Sequence, residues 1–163
     1  MYNMKVAIYG QTYQDNAIDY LIELLDELNK DSSEVFMEKE FYELYRTRGL
    51  TQTFSVFTID EGLDATFDMF VSFGGDGTIL RATTFVKDLG IPIVGVNTGR
   101  LGFLSTFKKE DVRKVVQEFK QGAYTVVERS LVQLRTKQLD AEFGNLNFAL
   151  NEITVSRKDT TSM

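Results

Sequence analysis

Up to about Gly122 the chain alternates short apolar runs with segments whose apolar residues recur at helical spacing. This alternation limits the possible folds more than any other feature. Residues 6–9 form an apolar run ended by Gly10, and residues 69–73 form another that runs into Gly74-Gly75. A third run, residues 93–96, follows Pro92, the only proline. Continuous apolar runs of this length read as strands buried on both faces. Ile18, Leu21, Ile22, Leu25 and Leu28 share one helix face, with Asp15 placed to cap it. Ser33 as a cap, followed by Met37, Phe41, Leu44 and Tyr45 on one face, predicts a second helix ending near Gly49. Residues 53–58 alternate like a half-buried strand, and residues 79–89 read as a helix stopped by Gly90. Val112, Val115, Val116 and Phe119 mark a last helix, ended by Gly122. Such an order implies an α/β fold, a mostly parallel open sheet with helices on both faces.

After Gly122 the pattern changes. Residues 124–136 and 148–157 are extended and β-rich, joined by a polar loop near Gly144-Asn145. The expected division is an α/β nucleotide-binding domain over residues 1–122 and the beginning of a β-rich domain over residues 123–163. The second part is close to the ~40-residue size below which a chain rarely builds its own core. It is therefore expected to be the truncated start of a larger domain.

Absent residue types narrow the chemistry. The sequence has no Cys, so disulfides and thiolate metal sites are excluded. It has no His, which removes Ser-His-Asp, Cys-His and His-metal mechanisms together. Carboxylates, hydroxyls, Lys, Arg, backbone dipoles and a bound cation remain. A net charge of −6 argues against a broad nucleic-acid footprint and against docking on an anionic membrane. Met1-Tyr2-Asn3-Met4-Lys5 leads into a run too short for a secretory or membrane segment, so the expectation is a cytoplasmic protein.

Three segments carry chemistry. Gly74-Gly75-Asp76-Gly77-Thr78 follows a buried strand and opens a helix. Backbone N–H groups at such a turn face an anion, and glycines let a phosphate come close. The turn lacks the Lys of a P-loop and offers Asp76 instead. Asp76 could take a proton from an attacking hydroxyl, hold a Mg²⁺ that bridges phosphates, or merely cap the helix. The second segment, Asn97-Thr98-Gly99-Arg100-Leu101-Gly102-Phe103-Leu104, follows the third apolar run. Ligands in open α/β sheets bind at carboxyl ends of strands. There Arg100 could meet a phosphate and Phe103 could stack on a base, or the loop could simply pack its apolar residues. The third segment is Asn151-Glu152, inside a β run over residues 149–155. Glu152 could bind ribose hydroxyls or face solvent.

Taken in this order, the three segments resemble the NAD kinase family, whose marks are a GGDGT turn, an N-x-G-x-LGF(L) loop and an NE pair in a strand. The resemblance covers roughly residues 5–157. GGDGT alone is shared with lipid kinases, whereas the loop and the NE pair point to NAD kinases. The resemblance implies transfer of the γ-phosphate of ATP, or in some members of a polyphosphate, to the 2′-hydroxyl of the adenosine ribose of NAD. It implies a divalent cation, Mg²⁺, and a homo-oligomer. It makes Asp76 the catalytic carboxylate. Gly75, Asp76, Gly77, Phe103, Leu104, Asn151 and Glu152 would bind NAD, and Gly74, Thr78 and Arg100 would meet phosphate. In the family further substrate contacts come from a later Gly- and Ser/Thr-rich stretch, absent up to Met163, so the 163-residue chain by itself is expected to be inactive. A lipid kinase would have no use for Glu152, and a binding module would show no turnover.

Overall fold

Val, Ile, Met and Phe fill the apolar runs, and burial on both sides turns those runs into central strands. The computed structural model describes residues 3–11, 17–99, 102–105, 107–135 and 147–155. Six strands, β1 (Lys5–Gly10), β2 (Glu34–Glu38), β3 (Ser55–Phe57), β4 (Met69–Phe73), β5 (Ile93–Asn97) and β6 (Phe107–Lys108), form one sheet. Their order is β3-β2-β1-β4-β5-β6, with every neighbouring pair parallel. The expected mostly parallel α/β sheet is borne out.

Strand alternation sorts the core into two layers. Val6, Ile8, Met69, Val71 and Phe73 belong to one apolar cluster, together with Leu21, Leu25 and Leu28 of helix α1 (Ile18–Asn29). Phe41 and Tyr45 of α2 (Lys39–Arg46) and Val112 and Val116 of α4 (Val112–Lys120) complete that layer. Ala7, Tyr9 and Phe70 point the other way, against Ala82, Phe85 and Val86 of α3 (Asp76–Val86). Helices thus cover both faces.

Chain order along the sheet reverses between β1 and β4. Outside the carboxyl ends of strands at such a reversal, open α/β sheets leave a crevice. The turn that leaves β4 and the loop that leaves β5 both emerge at that edge.

Several local expectations need correction. Residues 34–38 form strand β2, and α2 begins only at Lys39. Val35 and Met37 pair along β1, where cross-strand burial outweighs the helical spacing of Met37 with Phe41. Ser33 therefore caps nothing; the Glu38 carboxylate accepts the Phe41 N–H at 2.9 Å and starts α2. Ala17 rather than Asp15 precedes α1, without a side-chain cap, and Asp15 lies outside the described residues. Helix α3 starts at Asp76, three residues before the expected Ile79, and stops at Val86 because Lys87 adopts φ 50°. The two-residue strand β6 was not expected.

Residues cluster into two compact units, Met1–Val126 and Val127–Met163. In the second, β7 (Val132–Gln133) and β8 (Phe148–Ala149) pair antiparallel, and the Leu134 N–H adds a bond to the Asn147 carbonyl at 2.7 Å. Among the described residues there, regular strand is much shorter than the expected runs, and Gly144-Asn145 lies outside the described residues.

Candidate functional site

The turn between β4 and α3 is built around missing side chains. A Cβ on Gly74 would overlap the Thr78 hydroxyl, so the buried Thr78 side chain fills the space that Gly74 leaves. Gly75 is the N-cap residue of α3 and supplies no side-chain cap bond. Among the described residues, a Cβ at Gly75 or Gly77 would meet no atom within 4 Å, so these residues leave the start of α3 open to an approaching group. The Thr78 N–H in the first turn donates to the Gly75 carbonyl at 2.9 Å. The N–H groups ahead of it have no partner within a helix, and the helix dipole adds positive potential there.

Asp76 is not the cap of α3. Its carboxylate reaches across to the loop that follows β5. The Phe103 N–H donates to Oδ2 at 2.7 Å, and the Leu104 N–H donates to Oδ1 at 3.0 Å. The Ser105 N–H and hydroxyl both donate to Oδ1, at 2.9 and 3.1 Å. The loop comes this close because residue 102 is glycine; a Cβ there would overlap the Asp76 carboxylate. Behind it, Asn97 at the end of β5 donates its amide to the Ser105 hydroxyl at 2.7 Å and accepts the Gly99 N–H at 2.8 Å. Asn97 and Ser105 are buried, whereas the Phe103 side chain is 97% exposed.

Hydrogen bonds to a carboxylate favour its ionised form. The Ser105 N–H is the strongest influence, and with the Phe103 and Leu104 N–H groups and the Ser105 hydroxyl it outweighs desolvation and holds the Asp76 carboxyl below its ordinary range. A depressed carboxyl stabilises the docked loop above its unfolded pKa and loses that contribution as pH falls through the folded pKa. Amide shifts of Phe103, Leu104 and Ser105 should therefore stay constant from neutral pH down to about 5 and move together only below the ordinary Asp value of about 3.9. Loop amides that move near neutral pH would contradict this anchoring.

The structure brings Gly74, Gly75, Asp76, Gly77, Thr78, Phe103 and Leu104 to one edge of the sheet. Arg100 lies outside the described residues. Asn151 and Glu152 belong to the second unit, where they are exposed and follow β8 rather than lying within a strand. Strand pairing stops at Ala149 because β7 offers only two residues to pair with. Sequence reasoning missed Ser105 and the role of Asn97. The available signal was a pair of polar residues, Asn97 and Ser105, flanking a glycine-rich loop.

Against this geometry stand the comparisons with known proteins. The family model described as the ATP-NAD kinase N-terminal domain matches residues 6–124. An NAD kinase of Flavobacterium psychrophilum is 44% identical over 161 residues, which are 98% of this chain and 55% of that protein. An NAD kinase of Bacteroides fragilis is 39% identical, again over 98% of this chain and 54% of its own length. The chain thus spans about half the length of the curated relatives it matches. Among solved structures, yeast NADH kinase complexed with NADH aligns with a TM-score of 0.65 at 22% identity, over 83% of this chain and 44% of that one, a likeness of fold. The GGDGT turn, its partner loop and the sheet that carries both fall inside the matched residues, and the chain belongs to the NAD kinase family.

Proposed function

We propose that the whole protein is an NAD kinase that transfers the γ-phosphate of ATP to the 2′-hydroxyl of the adenosine ribose of NAD. The observation that carries this reading is the open, glycine-lined start of α3 beside an ionised carboxylate held by four hydrogen bonds. Phosphoryl transfer asks the protein mainly to position groups and to stabilise charge. In the proposed step the ribose oxygen bonds to the γ-phosphorus while the bond to the ADP oxygen breaks. The hydroxyl proton passes to Asp76, and ADP leaves. A carboxylate with a lowered pKa is a weak base. It suffices where bonding to the nucleophile is still slight in the transition state, because the proton is then released late.

In this reading the backbone of Gly75 and Gly77, with Thr78 beneath, faces phosphate. Gly74, whose N–H donates to the Val96 carbonyl at 2.9 Å, shapes the turn, and Arg100 is a further phosphate contact. The Phe103-Leu104 edge of the first unit takes part of NAD, and Asn151 and Glu152, in the second unit by itself, are proposed as further NAD contacts. Residues 1–122 are the nucleotide-binding domain and residues 123–163 the start of a β-rich one. The protein works in the cytoplasm as a homo-oligomer. Among the described residues no helix is long and apolar enough to cross a membrane.

A divalent cation fits the described residues poorly as a resident group. No cluster of three or more acidic residues that could hold a metal occurs among the described residues. Most of the acceptor capacity of Asp76 is already used by N–H and O–H donors. Cations of the Mg²⁺ type are commonly bound through substrate phosphates with few protein ligands, so the cation is assigned to the nucleotide and no step is routed through it.

The whole protein, incubated with ATP, Mg²⁺ and NAD, should form NADP, and diacylglycerol in place of NAD should accept no phosphate. Lipid phosphorylation without NADP would favour the lipid-kinase alternative. Glu152→Gln should weaken NAD use by ~1.5–3 kcal/mol, the range for a charge-assisted hydrogen bond, with little change in stability because the residue is exposed. Wild-type kinetics with NAD would leave Glu152 an ordinary surface residue.

A further inference from the structure

We infer that Asp76 acts through a single carboxylate oxygen, Oδ2, and that Ser105 and Asn97 are positioning residues that select it. This rests on the reading of Asp76 as the proton acceptor. The Asn97 Oδ1 accepts from the Gly99 N–H, so the amide NH₂ must be the end that faces Ser105. An NH₂ group only donates, and the Ser105 oxygen therefore accepts from Asn97 at 2.7 Å. The Ser105 proton is left to point away from Asn97, and the acceptor in reach is Asp76 Oδ1 at 3.1 Å. The chain runs one way, from Asn97 through Ser105 to the carboxylate.

Its consequence is an asymmetric carboxylate. Each carboxylate oxygen offers about two lone-pair sites. Oδ1 receives three donors, the Leu104 N–H, the Ser105 N–H and the Ser105 hydroxyl, and is saturated. Oδ2 receives one donor among the described residues, the Phe103 N–H at 2.7 Å, and keeps an acceptor site. A ribose hydroxyl can thus give its proton only to Oδ2. The buried Ser105 and Asn97 keep Oδ1 occupied without water, which preserves the difference between the oxygens. The same residues tie the exit of β5 to the first residue of α3, so the two loops at the sheet edge hold one arrangement.

The test uses Ser105→Ala and Asn97→Asp in the whole protein. Ser105→Ala removes the donor to Oδ1. Asn97→Asp keeps the acceptor for the Gly99 N–H but gives the Ser105 proton a second carboxylate to choose. Both variants should lower kcat for NADP formation about tenfold or more, the loss expected for one charge-assisted hydrogen bond. KM for NAD should stay within about twofold, because the groups act after binding. The acid limb of the kcat profile should move to higher pH in both, since Asp76 loses a donor that favours its charge. Folded variants with unchanged kcat, or with lower kcat and an unmoved acid limb, overturn the inference. If Ser105→Ala does not fold, Asn97→Asp alone decides on the same readouts. If neither folds, the unmodified protein decides. The side-chain amide shift of Asn97, which does not touch Asp76, should follow Asp76 protonation on acidification, and no response overturns the inference. Asp76→Asn separates the proton-acceptor role of Asp76 from the positioning role of Ser105 and Asn97. Normal turnover in that variant sinks the proton-acceptor reading itself, whereas an inactive Asp76→Asn beside a normal Ser105→Ala sinks only the positioning role.

Discussion

Asp76→Asn in the whole protein should lower kcat by at least ~10²-fold, because general-base catalysis typically contributes ~10²–10⁴-fold. The substitution is nearly isosteric but not innocent. One oxygen of Asp76 takes three donors and the other takes the Phe103 N–H, so an amide must turn its NH₂ toward at least one N–H. With the carbonyl on the three-donor side, the Phe103 N–H loses its acceptor. That residue is at the surface, where water can replace the bond, and the cost should be about 1 kcal/mol. Melting temperature should fall by only a few degrees, and NAD should still bind. Two roles remain for Asp76, proton acceptor and clamp for the loop. A folded Asp76→Asn protein with wild-type kcat removes the first.

Gly102→Ala probes the clamp while leaving the carboxylate in place. An added methyl group would sit where the Asp76 carboxylate lies, so either the loop retreats or Asp76 turns away. Both responses separate Asp76 from the N–H groups of residues 103–105. Displacement of a positioned group by about 1 Å can cost ~10²-fold in rate, and a loss of that order in kcat is expected. Global stability should change little, because Gly102 is exposed and the two hydrophobic clusters do not include it. Loss of activity with unfolding would place Gly102 in the core. Full activity would show that the loop needs no clamp.

How much of this was legible beforehand follows from which forces are local. Strands β1, β4 and β5 could be read because their residues are apolar on both faces, a pattern that needs no knowledge of neighbours. The GGDGT turn could be placed between strand and helix because glycines between an apolar run and a helical pattern admit few conformations. Residues 34–38 were misread because Met37 fits two periods at once, and only pairing with β1 decides between them. Strand β6 is too short to leave a pattern. At the site, Asp76 stood out by its residue type in a phosphate-binding turn. Its partners Phe103, Leu104 and Ser105 lie 27, 28 and 29 residues away and bind it through backbone N–H groups, which every sequence contains. What looked like a choice between cap and catalyst in the sequence is in the structure a bridge between two loops.

Where the phosphate lands tests the account most directly. The whole protein should be supplied with γ-labelled ATP and NAD, and the product examined by phosphorus NMR and by exchange of NAD for its 2′-deoxyadenosine analogue. The account predicts one new phosphomonoester, coupled to the ribose H2′ proton, in amounts equal to the ADP released, and no product from the deoxy analogue. Label on any other oxygen, or equal transfer with the deoxy analogue, would contradict it.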